Sequence, residues 1–260
     1  YEVNTPGRYN IPASQAITVP DGGTATVTFK NTIKKGYVEL YKTDTTTGKA
    51  LAGAVYGIYN SANIRVDELK TNADGYAKSG LLPYGDSYYL LEEKAPDGYV
   101  QDTAVYDVTL FYREQTVQLV TEGISIDNAP QMGTITITKV DKETGKPIIL
   151  SDAVFQLHAK QDIVTGDGVV HYHAGELVDT LTTVQGMIAS KPLYLGTYTL
   201  TEMTAPDGYI LDSTPHDVTL SYGGQGVELV SESLSLDNAP QMGTITIIMW
   251  MKKNSSFGLL

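Results

Sequence analysis

Short runs of alternating apolar and polar residues recur along this chain, and no segment sustains a 3.6-residue apolar period over three turns. Val38–Tyr41, Ala54–Tyr59, Tyr88–Glu92, Val105–Leu110, Thr116–Val120 and Ile124–Asn128 each read as a strand. Turn dipeptides such as Thr47-Gly48, Asp74-Gly75 and Asp97-Gly98 separate them. About seven short strands in roughly 100 residues predict an all-β sandwich of immunoglobulin-like or transthyretin-like arrangement.

Repetition then divides the chain. The string DNAPQMGTITI stands at Asp127–Ile137 and again at Asp237–Ile247, and APDGY stands at Ala95–Tyr99 and Ala205–Tyr209, both pairs 110 residues apart. An earlier marker, Lys42-Thr-Asp44 against Lys139-Val-Asp141, is offset by 97, so 110 − 97 = 13 extra residues belong to the front of the second copy, within His158–Leu181. Tyr1–Tyr9 aligns with Leu91–Tyr99, and Thr26–Asn31 resembles the end of a copy. The expected organisation is therefore tandem sandwiches joined by short linkers. Residues 1–33 form the C-terminal remnant of an upstream repeat, 34–130 and 131–240 are complete repeats, and 241–260 begin a further one.

The period of 2 in a strand shows which polar side chains share the apolar face. Ile135, Ile137 and Lys139 fall on one face, as do Val38, Leu40 and Lys42 in the other copy. Leu234, Leu236 and Asn238 align, as do Ile124, Ile126 and Asn128. Tyr198, Leu200 and Glu202 share a face; both faces are apolar around Glu92, which the repeat alignment assigns inward. Each copy thus sends a lysine, a glutamate and an amide toward its core. Buried charges are costly unless paired or neutralised, and burial favours the neutral form of an amine and of a carboxyl. A neutral amine is a nucleophile, and a protonated glutamic acid bonded to a carboxamide polarises it and passes protons to departing ammonia. The product is a Lys–Asn isopeptide bond, formed once.

Composition narrows the classes. The 260 residues carry 18 basic and 30 acidic side chains, a net charge of −12, which disfavours a nucleic-acid partner. With no Cys there is no disulfide scaffold, thiolate metal site or Cys nucleophile, and no apolar run has the length of a membrane span. Tyr outnumbers Phe by 18 to 4, a balance suited to exposed sheets. No nucleophile elbow, phosphate loop or metalloprotease motif is present, and no cofactor is implied. His171 and His173 share one side of a strand, and Asp162–Gly168 is acidic; both read as parts of an insertion hairpin rather than a metal site.

The chain resembles the collagen-adhesin B-type repeat domains of Gram-positive surface proteins and pilins. The resemblance rests on Lys-x-Asp followed by a Thr-Gly-Lys turn (Thr47–Lys49, Thr144–Lys146), on Leu91–Tyr99 and Thr201–Tyr209, and on the terminal Asp-Asn, and it covers residues 1 to about 247. It implies a transthyretin-like sandwich with an autocatalytic internal isopeptide bond. By it, Lys42 and Lys139 are nucleophiles, Glu92 and Glu202 assisting acids, and Asn128 and Asn238 acceptors. Glu2 and Asn31 match the acid and acceptor of the partial upstream domain. The implied role is a stalk or spacer segment of a cell-surface adhesin or pilin-like protein. It is extracellular and anchored to the cell wall through a C-terminal region outside this sequence, with flanking repeats as partners and no turnover as an enzyme. The alternative is an adhesin module whose second-domain insertion, near Gly166–Tyr172, contacts a host matrix protein or glycan. No sorting signal or pilin-type lysine motif is present. Met249 stands where the repeat spacing places the next lysine, and Ile248–Leu260 is expected to be an out-of-frame tail, poorly ordered.

Overall fold

The computed structural model describes residues 5–250. Glu2 and most of the expected out-of-frame tail lie outside them. The first repeat contains β1 (Lys35–Asp44), β2 (Val55–Asn60), β3 (Arg65–Lys70), β4 (Tyr76–Lys78), β5 (Leu82–Pro83), β6 (Ser87–Lys94), β7 (Tyr106–Thr109) and β8 (Leu119–Asn128). One sheet is built on β1, which pairs antiparallel with β4 and β5 and parallel with β8; the other has the order β3-β2-β6-β7. Between them lies a core that includes Val38, Leu40, Tyr56, Ile58, Leu90 and Ile126.

The second repeat follows the same plan with β9 (Met132–Asp141), β10 (Val154–Ala159), β11 (Ile163–Val164), β12 (Val170–Tyr172), β13 (Leu177–Thr182), β14 (Met187–Ala189), β15 (Leu193–Tyr194), β16 (Gly196–Thr204), β17 (His216–Leu220) and β18 (Leu229–Asn238). Here β9 pairs with β14, β15 and, in parallel, β18, opposite a sheet β13-β10-β16-β17. Its core is separate, around Ile135, Ile137, Phe155, Leu157, Tyr198 and Leu200. The tandem sandwich expected from the alternating pattern is the fold.

The first and last strands of each repeat lie side by side and run parallel, from Lys35 against Leu119 to Asp44 against Asn128. The same register runs from Met132 against Leu229 to Asp141 against Asn238. This long pairing also explains one departure from expectation. Thr116–Val120 is not a strand of its own; only its last two residues join β8, which continues unbroken to Asn128. β3 escaped notice because Arg65–Lys70 buries only Leu69 fully, an edge strand with little apolar signal.

Between β10 and β13 the chain has 17 residues (160–176), against 4 (61–64) between β2 and β3, a difference of 13. They form the β11–β12 hairpin. The described part of residues 1–33, expected to be the end of a repeat, differs from one. Residues 5–33 contain no ladder, only a bridge from Tyr9 to Ile33, matching the bridges Tyr99–Pro130 and Tyr209–Pro240. Residues 241–250 likewise hold no strand, and Ile245 and Ile247 are exposed.

Two glycines fix the ends of β1 and β9. Gly75 (φ +69°) accepts the Lys42 N–H at 2.7 Å through its carbonyl, and Gly186 (φ +79°) accepts that of Lys139 at 2.8 Å. A Cβ on Gly75 would stand 2.3 Å from the Lys42 carbonyl oxygen. Gly75→Ala should therefore destabilise the first repeat by about 1–3 kcal/mol, read as a lower unfolding midpoint for that repeat alone.

Candidate functional site

The six inward residues of the two complete repeats gather into two buried clusters of one design. Lys42 is on β1 and Asn128 at the end of β8, so both belong to one sheet, with Lys42 opposite Ile126 and Asn128 two residues further on. Glu92, on β6, reaches across the core from the facing sheet. All three are buried, Lys42 completely. Lys42 Nζ stands 3.6 Å from Glu92 Oε1 and donates to the Asp127 carbonyl at 2.8 Å. Asn128 Nδ2 donates to Glu92 Oε2 at 2.9 Å and to the Val100 carbonyl at 2.7 Å.

The second cluster repeats this geometry. Lys139 Nζ is 3.1 Å from Glu202 Oε1 and 3.1 Å from the Asp237 carbonyl. Asn238 Nδ2 donates to Glu202 Oε2 at 2.8 Å and to the Ile210 carbonyl at 2.7 Å. In each cluster a loop N–H, from Asp102 or Asp212, also donates to Oε2 of the glutamate, at 2.6 and 3.0 Å. One carboxyl oxygen thus faces the amine while the other faces the amide nitrogen. Asn128 Oδ1 and Asn238 Oδ1 are buried with no hydrogen-bond partner. Such orphaned acceptors cost about 1–3 kcal/mol each. Asn31 is half-buried in the segment before the first repeat. Glu2, its expected acid, lies outside the described residues.

The sites differ in their surroundings. Lys42 also donates to the Tyr56 hydroxyl at 2.9 Å, where the second repeat has Phe155, its ring 5.7 Å from Lys139 Nζ. Burial drives the Lys42 ammonium below the ordinary lysine value, with the Glu92 carboxylate opposing, and pushes the Tyr56 phenol far up, so that it keeps its proton. Tyr106, hydrogen-bonded to Asp102, is replaced by His216, and beside Lys139, Phe155, Glu202, Asp212 and His216 lies a cavity of about 260 Å³.

Sequence reasoning missed the clasp next to each cluster. Buried Asp44 accepts the N–H groups of Thr46 and Thr47 at 2.6 and 2.9 Å through one oxygen, and the Tyr99 hydroxyl at 2.8 Å through the other. Asp141 and Tyr209 repeat the bond at 2.9 Å. It ties the end of the lysine strand to the turn that follows the glutamate strand. The signal was present, since both residues stand inside strings that recur in the two repeats. Tyr99→Phe should leave Asp44 short of a donor and cost about 1–3 kcal/mol, measured by chemical unfolding.

Neither histidine of the insertion belongs to a metal cluster among the described residues. His171 stacks on Tyr194 with ring centroids 3.6 Å apart, and burial keeps its imidazole below the ordinary value; His173 is largely exposed.

Comparison with known proteins agrees with this architecture. A family model described as the SpaA prealbumin-like fold domain matches residues 36–123 and again 133–233. The trypsin-resistant surface T6 protein of Streptococcus pyogenes serotype M6 is 34% identical over 102 residues, covering 38% of this chain and 19% of that protein. The TIE protein of Bacillus anthracis superposes with a TM-score of 0.61 at 24% identity, over 81% of this chain and 35% of that one, a likeness of fold. The chain thus spans about a fifth of the T6 protein and a third of the TIE chain. With both sandwiches matched over nearly their full length, the chain belongs to the SpaA prealbumin-like domain family and carries two copies of that domain.

Proposed function

We propose that this chain is a structural stalk segment of a cell-surface, pilin-like protein, each repeat locked by a self-formed Lys–Asn isopeptide bond. One observation carries the reading: the same buried lysine, glutamate and asparagine meet twice, with matching partners on matching strands. A proton passing from the ammonium to the carboxylate leaves both neutral, the form a buried site favours. The lysine Nζ lone pair then attacks Cγ of the asparagine. The amine gives a proton to Oε1 of the glutamic acid while Oε2–H gives one to Nδ2, the Cγ–Nδ2 bond breaks, and ammonia leaves. Amine plus carboxamide become a secondary amide plus ammonia, and the glutamic acid ends protonated, as it began. The fold supplies the proximity.

The bonds join Lys42 to Asn128 and Lys139 to Asn238, so each links the first strand of a repeat to the last. Asn31 to Lys42 and Asn128 to Lys139 are both 11 residues, so tension runs along a short connection from bond to bond. This is single-turnover chemistry in a load-bearing part rather than an enzyme. Its setting is the extracellular face of a cell wall, in series with flanking repeats and anchored through other parts of a longer protein. That the T6 protein is named a trypsin-resistant surface protein supports this setting.

Intact mass tests the reading. The wild-type chain should be lighter than its sequence by about 34 Da, two ammonia, and Glu92→Ala or Glu202→Ala should each restore about 17 Da. A full unmodified mass in the wild type would leave the clusters as structural features only.

A further inference from the structure

The tip of the insertion hairpin does not project into solvent as a free loop; it lies against the preceding repeat. Thr47, in the turn after β1, donates its hydroxyl to Asp167 Oδ2 at 2.6 Å. That carboxylate is fixed from its own side, with Thr165 Oγ1 donating to Oδ1 at 2.6 Å and the Val169 N–H at 3.1 Å. Burial opposes its charge, but these bonds outweigh it and hold Asp167 below the usual carboxylate range. His171 Nε2 lies 2.8 Å from Thr165 Oγ1. Since that hydroxyl spends its proton on Asp167, the imidazole donates there. A line of hydrogen bonds thus runs from His171, stacked on Tyr194, through Thr165 and Asp167 to Thr47 of the first repeat. Gly166 fits against the Tyr99 ring, and a Cβ there would stand 3.0 Å from that ring and 3.3 Å from the Asp97 carbonyl oxygen.

A second loop of the same domain also reaches the first repeat. Gln225 Oε1 accepts the Ala95 N–H at 2.6 Å, and its carbonyl accepts the Gln101 N–H at 3.0 Å. The linker itself is held, because Gln131 is buried and donates to the Gly224 carbonyl at 3.0 Å. Lys34 does the same in the preceding linker, donating at 3.0 Å to the carbonyls of Glu114 and Gln115. Linker seating is therefore common to both junctions, whereas the hairpin adds an attachment at the second only. The hairpin thus adds a third point of attachment, through Thr47 and Asp97–Tyr99, to those made by the linker and by the Gln225 loop.

We infer that the 13-residue insertion is an interdomain brace, whose partner is the Thr47 and Asp97–Tyr99 turns of the preceding repeat and which stiffens the junction between the two domains. The site it occupies lies beside the clasp at the first lysine cluster. This does not depend on isopeptide bonds being present.

The chain has no Cys, so Asp86→Cys and Glu143→Cys, both exposed, give two unique spin-label positions on the two domains. In the full chain, the distance distribution between them should be narrow. It should broaden about twofold in Gly166→Val, which wedges the tip off Tyr99, and in Asp167→Ala, with the unfolding midpoint of each domain unchanged. A variant with residues 162–173 replaced by a two-residue turn should broaden at least as much. Unchanged width in Gly166→Val and Asp167→Ala would overturn the inference, and because those are surface changes their folding is checked by the same midpoints.

Discussion

Stretched between its ends, a chain with Lys42→Met and Lys139→Met should lengthen in two steps of roughly 300 Å each, whereas the wild-type chain should show neither step. The size follows from the topology. The terminal strands of each repeat are parallel neighbours, so end-to-end force shears β1 against β8 and β9 against β18. Without a bond, shearing releases the 85 residues between Lys42 and Asn128, or the 98 between Lys139 and Asn238, at about 3.5 Å each. With the bonds, those residues lie off the path of force and stay folded at any load the covalent chain survives. Two-step extension of the wild type would remove the mechanical reading.

The second large effect is thermal. Closing a loop of 99 residues between Lys139 and Asn238, or of 86 between Lys42 and Asn128, stabilises by about 4–5 kcal/mol on the chain-entropy estimate. In a domain of this size that corresponds to a midpoint shift on the order of 20 °C. Lys139→Met alone would also leave the buried Glu202 Oε1 without the nitrogen it faces, adding a penalty unrelated to cross-linking. The informative variant is therefore Lys139→Met with Glu202→Gln, which removes both charges and keeps the volume. Its second domain should melt about 20 °C lower than wild type while the first is unmoved. A shift below about 5 °C would mean that no cross-link had been lost.

How much of this was legible in the sequence depended on which face of each strand the core covers. β9 alternates from Met132 to Lys139, so Lys139 could be placed inward from Ile135 and Ile137 alone. Glu92 could not, because Leu90 and Leu91 put apolar side chains on both faces of β6; only Glu202 in the repeat resolved it, and Leu90 is the buried one. The distances within the clusters were beyond reach, since they depend on how two sheets stack and on loops at Val100–Asp102 and Ile210–Asp212 that have no periodicity. The hairpin was found by counting residues, but its direction was not, because Asp167 and Thr47 meet across 120 positions with no pattern linking them. Residues 5–33 read like the end of a repeat, yet they form no ladder, only the Tyr9–Ile33 bridge.

Peptide mapping tests the central claim most directly. In a tryptic digest of the wild-type chain, residues 36–49, uncut at Lys42, should travel with residues 114–142, uncut at Lys139, as one branched species lighter by about 17 Da for the Lys42–Asn128 bond. Because 114–142 also carries Lys139, the peptide that contains Asn238 should be attached to it as well. Recovery of linear 36–42 and 114–139 at full mass, with cleavage after both lysines, would contradict the account.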